Sequence, residues 1–267
     1  MNKKLPIIII VPHGGDKVPE ELSGFEEVDK FDLFFESDTC ANELFDFENH
    51  VIANINSNIS RLFVDLDRPL YQMPQKSLDG VIKKVSLTGK KIYKEKIFPD
   101  EIAISNILKR YYIPFHKKIE TLISSNDIKF IIECHTVMAV GPKNSSDYGK
   151  PRPLIIIENR KNDDKQSILT CPDEHAKSLL ESLKKTFSDE DTTVAGRFSF
   201  NRPSFNGYIL KKYGCSEIPM LRMSISKSLF LNDNYFSYEY LKVDDLRIEE
   251  LRKKIWSSIS HFVNKYI

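Results

Sequence analysis

The stretch Leu5-Pro6-Ile7-Ile8-Ile9-Ile10-Val11-Pro12-His13-Gly14-Gly15 decides the fold class of this chain. Its apolar residues are consecutive rather than alternate, so both faces of the strand must be buried, as happens inside a mainly parallel sheet covered by helices. Pro12 and the glycine pair then end the strand in a turn. Comparable runs recur at Val51 to Ile55, Leu62 to Leu66, Ile128 to Cys134, Leu154 to Ile157 and Met220 to Ile225, with helix-like segments between them. The expectation is an α/β fold of three layers, a mainly parallel or mixed sheet flanked by helices.

Two helices are well marked. Pro99 to Ser124 carries Ile104, Leu108, Tyr111, Phe115, Ile119 and Leu122 along one stripe, with Pro99 near its first position and Pro114 as a predicted kink. Asp244 to Tyr266 opens on acidic residues and places Leu251, Ile255, Ile259 and Val263 four residues apart. The 267 residues show no repeat and no linker, which predicts one domain over 1–267. Tyr71 to Tyr93 reads as a long excursion from the sheet, the kind of segment that carries active-site residues.

Composition narrows the function classes. Lys and Arg total 39 against 38 Asp and Glu, so no overall field recruits nucleic acid or an anionic membrane. The four cysteines are far apart and form no C-x-x-C, which suits reduced thiols and argues against a cysteine zinc cage. Basic residues precede the apolar run at the start, but that run is short and Pro12 breaks it, so it reads as a strand and the chain as cytoplasmic. There is no G-x-G-x-x-G, no G-K-[ST] and no G-x-S-x-G, leaving nucleotide binding and a serine nucleophile without support.

In open α/β sheets ligands gather at the carboxyl ends of the strands. The residues there are Pro12-His13-Gly14-Gly15-Asp16, Asp65-Leu66-Asp67-Arg68 and Glu133-Cys134-His135-Thr136. Singly, each histidine has an ordinary structural reading; together they end buried strands on one predicted edge. Imidazoles with a carboxylate are the usual ligands of a catalytic zinc. Asp16 lies three residues after His13, and Asp38 is the rival carboxylate, with a helix N-cap as its other reading. Arg68 suits a bidentate clamp on a substrate carboxylate or an ordinary ion pair, while Arg61 is predicted at the far end of its strand. Asn206-Gly207-Tyr208 reads as a pocket-lining turn or a plain surface loop. Cys134, between Glu133 and His135, should point into the core.

The ordered segments PHGG (12–15), ESDTCANELF (36–45), SRLFVDLDRP (60–69), RYYIPFH (110–116), ECHT (133–136) and FNGYILKKYG (205–214) resemble the N-formylglutamate amidohydrolase family over most of the chain. The resemblance implies a zinc-peptidase-like fold and hydrolysis of an N-acyl amide on an acidic amino acid, with a small acyl amino acid as the partner and no nucleic acid or membrane. It implies one zinc ion held by His13, His135 and either Asp16 or Asp38. Arg68, Arg110, His116, Asn206, Gly207 and Tyr208 match substrate-side positions. Two departures stand out. Asp67 replaces an asparagine before Arg68, and Ser224 stands where members carry a late-strand glutamate, in Leu221-Arg222-Met223-Ser224-Ile225-Ser226-Lys227. Glu133 is then the candidate general base, or else the residue that orients His135. Two functions follow: a metal-dependent amidohydrolase, or an altered member that binds a metabolite or protein partner in a retained pocket.

Overall fold

The structure, a computed structural model, describes residues 4–73, 79–125, 127–163, 166–190, 198–200, 207–214 and 217–267. In chain order the elements are β1 (Leu5–Val11), α1 (Lys30–Glu36), α2 (Ala41–Leu44), β2 (Val51–Asn56), α3 (Glu101–Ile107), α4 (Ile113–Ile123), β3 (Phe130–Val137), β4 (Ile155–Glu158), β5 (Arg160–Asp163), β6 (Gln166–Leu169), α5 (Asp173–Thr186), β7 (Phe198–Phe200), α6 (Tyr208–Tyr213), β8 (Met220–Ser226), β9 (Phe236–Ser237), β10 (Lys242–Val243) and α7 (Asp245–Tyr266). Six strands form one sheet in the order β2-β1-β3-β8-β4-β7. β2, β1, β3 and β8 run parallel, and β4 is antiparallel to β8. The sheet is therefore mixed, with a parallel core.

Both faces of that core are covered. Ile7, Ile9, Phe130, Ile132, Cys134, Leu221 and Met223 pack with Leu251, Ile255, Ile259 and Phe262 of α7 and with the buried leucines of α5. Ile8, Ile10, Ile131 and Met220 pack on the opposite side with Ile107, Tyr112, Phe115 and Ile119, and with Val81, Ile82 and Ile92 of the excursion. Consecutive isoleucines in β1 thus feed two cores, which is why the run does not alternate. Among the described residues no helix is long and apolar enough to cross a membrane.

Two sequence expectations need correction. Residues 62–66 are a buried turn, not a strand: Ser60 accepts backbone bonds from Phe63 and Val64, and the Asp65 side chain accepts from the Asp67 N–H at 3.0 Å. A short aspartate-punctuated apolar run can be buried without joining a ladder. The long helix is interrupted by a wide π turn at Leu108–Tyr112 immediately before Pro114, whose ring would clash with a regular helical carbonyl four residues back. Its N-cap is Asp100, one residue after Pro99. β5 and β6, which carried no strand reading in the sequence, form a separate two-stranded antiparallel hairpin.

Ile9 is fully buried between β2 and β3. Ile9→Ala should lower the unfolding free energy by about 2–5 kcal/mol and Ile9→Val by about 0.5–1.5 kcal/mol, measured by urea unfolding.

Candidate metal centre and active site

The turn after β1 sets His13 beside His135, which lies near the carboxyl end of β3, their rings 5.1 Å apart and both buried. The loop after α1 adds Asp38, tied to β1 by its N–H donating to the His13 carbonyl at 2.9 Å. Asp38 Oδ2 lies 2.7 Å from His135 Nδ1 and 3.8 Å from His13 Nδ1. The Asp38 side chain faces the histidines and is no helix cap; the left-handed Cys40 occupies the N-cap position of α2.

Each ring is held from behind by a carboxylate. His13 Nε2 meets Asp65 Oδ1 at 2.7 Å, and His135 Nε2 meets Glu133 Oε1 at 2.9 Å. With Nε2 protonated and donating to Asp65, His13 Nδ1 keeps its lone pair toward Asp38, whereas His135 donates from Nε2 to Glu133 and from Nδ1 to Asp38. His13 Nδ1 is buried and has no hydrogen-bond partner among the described residues. Two imidazole nitrogens and a carboxylate oxygen within 4.8 Å of one another form a donor set of the composition that holds zinc. Asp16 is exposed and lies with Gly14 and Gly15 in a neighbouring depression, apart from this trio.

Electrostatics separate the two histidines. Burial and the nearby Arg61 push the His13 pKa down. Burial and Arg222 also disfavour a charged His135, but its bonds to Asp38 and Glu133 outweigh them and raise it to about 9. Asp38 is held well below the carboxylate range, the bond from His135 and the cations around it overcoming burial.

A cavity of about 220 Å³ opens over the trio. Arg68 lines it, with Nε and Nη2 on Asp79 Oδ2 at 3.2 and 2.7 Å and Nη1 on the Asp67 carbonyl at 2.8 Å. Gly207 lines it too, since α6 starts against the guanidinium of Arg222: a Cβ there would fall 1.4 Å from Arg222 Nη2. Tyr208 donates its N–H to the Asp67 carbonyl at 3.3 Å. His116 is behind the wall; its Nε2 bonds the Leu66 carbonyl at 3.0 Å and its Nδ1 meets the Tyr213 hydroxyl at 2.8 Å. Burial and then Lys212 lower its pKa to about 4, so it is neutral at physiological pH and braces the 65–68 turn. Arg110 is not brought to the site: it lies on the surface and pairs with Glu20 and Glu21. Asn206 lies outside the described residues. Glu133 is fully buried beneath His135 and does not line the cavity.

Several residues at the site carried no clear sequence signal. Arg61, placed remotely by the expectation of a strand, lines the cavity and bonds Asp65 at 3.1 Å because the intervening residues form a turn. Arg222 bonds Asp67 Oδ2 at 2.5 Å and Glu133 Oε1 at 2.6 Å. Lys227 donates to the carbonyls of Phe35 and Ser37 at 2.9 and 2.5 Å, fastening the loop that carries Asp38. Only the tertiary fold brings these partners together.

A family model for N-formylglutamate amidohydrolase matches residues 5–231. The chain belongs to the N-formylglutamate amidohydrolase family. N-formylglutamate amidohydrolase from Ralstonia eutropha JMP134 superposes with a TM-score of 0.71 at 16% identity, covering 100% of this chain and 96% of that one. A gene product of Agrobacterium tumefaciens gives 0.60 at 14% identity, covering 97% and 90%. No curated protein is matched by sequence. Within this amidohydrolase family fold the late strand β8 sets Ser224 beside His135 in register, and Arg222 beside Glu133 on one side and Glu158 on the other.

Glu158 is buried, its Oε2 has no hydrogen-bond partner among the described residues, and burial raises its pKa to about 8. Its folded pKa exceeds the unfolded value of about 4.3, so its stabilising contribution is complete below that pH and is lost as pH rises through about 8. The loss approaches about 1.4 kcal/mol per pH unit at most. Glu158→Gln should flatten the fall in stability between about pH 5 and 8, read from urea midpoints. An unchanged slope would show that Glu158 is ionised throughout.

Proposed function

We propose that this amidohydrolase family member is metal-dependent, with zinc as the ion, and that it hydrolyses small N-acyl amino acids of the N-formylglutamate type. The observation that carries this reading is His13 Nδ1: a buried lone pair with no hydrogen-bond partner among the described residues, 3.8 Å from Asp38 Oδ2 and beside the His135 ring. His13, His135 and Asp38 would hold the ion. When bound there it would polarise the scissile carbonyl and lower the pKa of water.

The remaining tasks fall to the chain's own groups. Asp65 and Glu133 hold the protons on the outer ring nitrogens, which leaves the inner nitrogen of His13 an acceptor and would make that of His135 one once it gives up the proton it shares with Asp38. Arg68 recognises the acid group of the substrate, since its planar fork matches a carboxylate. Gly207 lets the start of α6 close on the Arg222 guanidinium at the cavity wall, with Tyr208 on the same turn. His116 and the Tyr112 hydroxyl, on the carbonyls of Leu66 and Arg68, keep the arginine turn rigid.

Proton transfer is the weak step. At the position where the family resemblance implies a glutamate, Ser224 offers a hydroxyl that is a poor base at neutral pH, and Glu133 is shared between His135 and Arg222. This favours, as a second reading, a pocket that binds acyl amino acids and turns them over slowly or not at all.

Purified protein should hold about one zinc ion per chain by emission spectrometry and lose it in the His13→Ala, His135→Ala double variant. Full retention in that variant would remove His13 and His135 from the metal site. N-formylglutamate hydrolysis should be slow in the wild type and about a hundredfold faster in Ser224→Glu. Robust wild-type turnover unchanged by the substitution would place the base elsewhere, whereas zinc binding with no turnover in either protein would favour the binding reading.

A further inference from the structure

We propose that Asp79 is a tethered stand-in for the substrate carboxylate, one that occupies the fork of Arg68 and must be displaced before an acidic ligand binds. The inference rests on the reading of Arg68 as the carboxylate-binding residue. Both groups line the cavity, and Asp79 Oδ2 takes two of the guanidinium's N–H groups at 2.7 and 3.2 Å. This is the edge that a ligand carboxylate would use.

Exposure decides which partner moves. The Arg68 side chain is 18% exposed and that of Asp79 is 54% exposed. Asp79 comes from the excursion after Arg68, whereas the Arg68 turn is braced by Tyr112 through the arginine's own carbonyl at 2.8 Å. Swinging Asp79 outward returns a half-hydrated carboxylate to water, so the desolvation cost of its departure is small.

The groups left behind stay paired. Asp79 Oδ1 bonds the buried Lys83, but Lys83 also has Asp65 Oδ2 at 2.9 Å and keeps that ion pair when Asp79 leaves. Nη1 of Arg68 keeps the Asp67 carbonyl. Of the pairings described, those of Nε and Nη2 of Arg68 lose their acceptor, and an incoming carboxylate replaces like charge with like. A neutral ligand cannot make that exchange, because it would leave the guanidinium uncompensated in a partly buried cavity.

Asp79 would therefore set specificity in two ways. It lowers the apparent affinity for acids by the fraction of molecules in which the fork is occupied. It also leaves neutral amides with no charged group to recruit them. Removing its charge should open the fork permanently.

The test uses the zinc-loaded protein and two unreactive probes, glutarate and glutaramide, titrated by calorimetry. Asp79→Asn and Asp79→Ser, each checked by thermal melting, should bind glutarate about five- to tenfold more tightly than wild type, with glutaramide binding unchanged. Asp79→Glu should resemble wild type. Arg68→Met should abolish the glutarate response in wild-type and Asp79→Asn backgrounds alike. Glutarate binding that depends on Arg68 but is no tighter, or is weaker, in both neutral variants would overturn the proposal alone and make Asp79 a brace for Arg68. Glutarate binding indifferent to Arg68→Met would overturn the reading of Arg68 and the proposal with it.

Discussion

The site depends on a carboxylate withdrawn completely from water. Asp65 is fully buried, and a buried charge persists only when cations and donors surround it. Its two oxygens take His13 Nε2 at 2.7 Å, Arg61 Nη2 at 3.1 Å, Lys83 Nζ at 2.9 Å and the Asp67 N–H at 3.0 Å. Those contacts choose the His13 tautomer, bring Arg61 to the cavity, and draw Lys83 in from the excursion to meet Asp79. The cations around it hold the Asp65 pKa well below the usual range against its burial. Loss of this one side chain would leave Lys83 to Asp79 and Arg61 to Asp38 at 3.7 Å, and free the histidine ring to rotate.

A second buried knot performs the equivalent task for the other half of the site. Arg222 reaches from β8 to Asp67 and Glu133, so the late strand, the 65–68 turn and β3 are joined by one guanidinium. Asp67 Oδ1 also accepts the Ile209 N–H at 2.7 Å, anchoring the start of α6. An ionised Asp67 cannot donate to a substrate oxyanion, but it can serve Arg222 and this helix start together. Gly207 lies where any side chain would collide with that guanidinium. The departure at Asp67 thus has a structural use beside Arg222, whereas the carboxylates that line the cavity near Ser224 are already engaged: Asp38 by His135, Asp67 by Arg222, Asp79 by Arg68 and Glu36 by the backbone of Leu87 and Thr88.

Convergence of acids explains the basicity of His135. Asp38 and Glu133 both bond its ring, and a positive charge between them is favoured over a neutral one. A divalent cation is favoured at the same place by the same field, provided the imidazole gives up its proton. The site is therefore organised around positive charge before any ligand enters it.

Much of this was legible in the chain itself. Five of the six apolar runs are strands of the central sheet, because residues that must be buried on both faces have few other places to go. His13 and His135 were legible as candidates because strand ends in a parallel sheet share an edge, with Asp16 and Asp38 as rival carboxylates beside them. The choice of Asp38 over Asp16 was not, since a loop's direction is set by contacts such as the Asp38 N–H to the His13 carbonyl, which join residues 25 positions apart. Arg61 was misplaced because an apolar run with two aspartates reads equally as strand or turn, and burial does not distinguish them. Arg110 matched by spacing yet faces Glu20 and Glu21, because the π turn and the packing of its helix decide which side faces outward. Residue types and their order determined the layers of the sheet and the chemistry available at its edge. Only the tertiary structure decided which carboxylate meets which ring or guanidinium, because hydrogen bonds and ion pairs act over about 3 Å and no local pattern encodes distances between residues far apart in the chain.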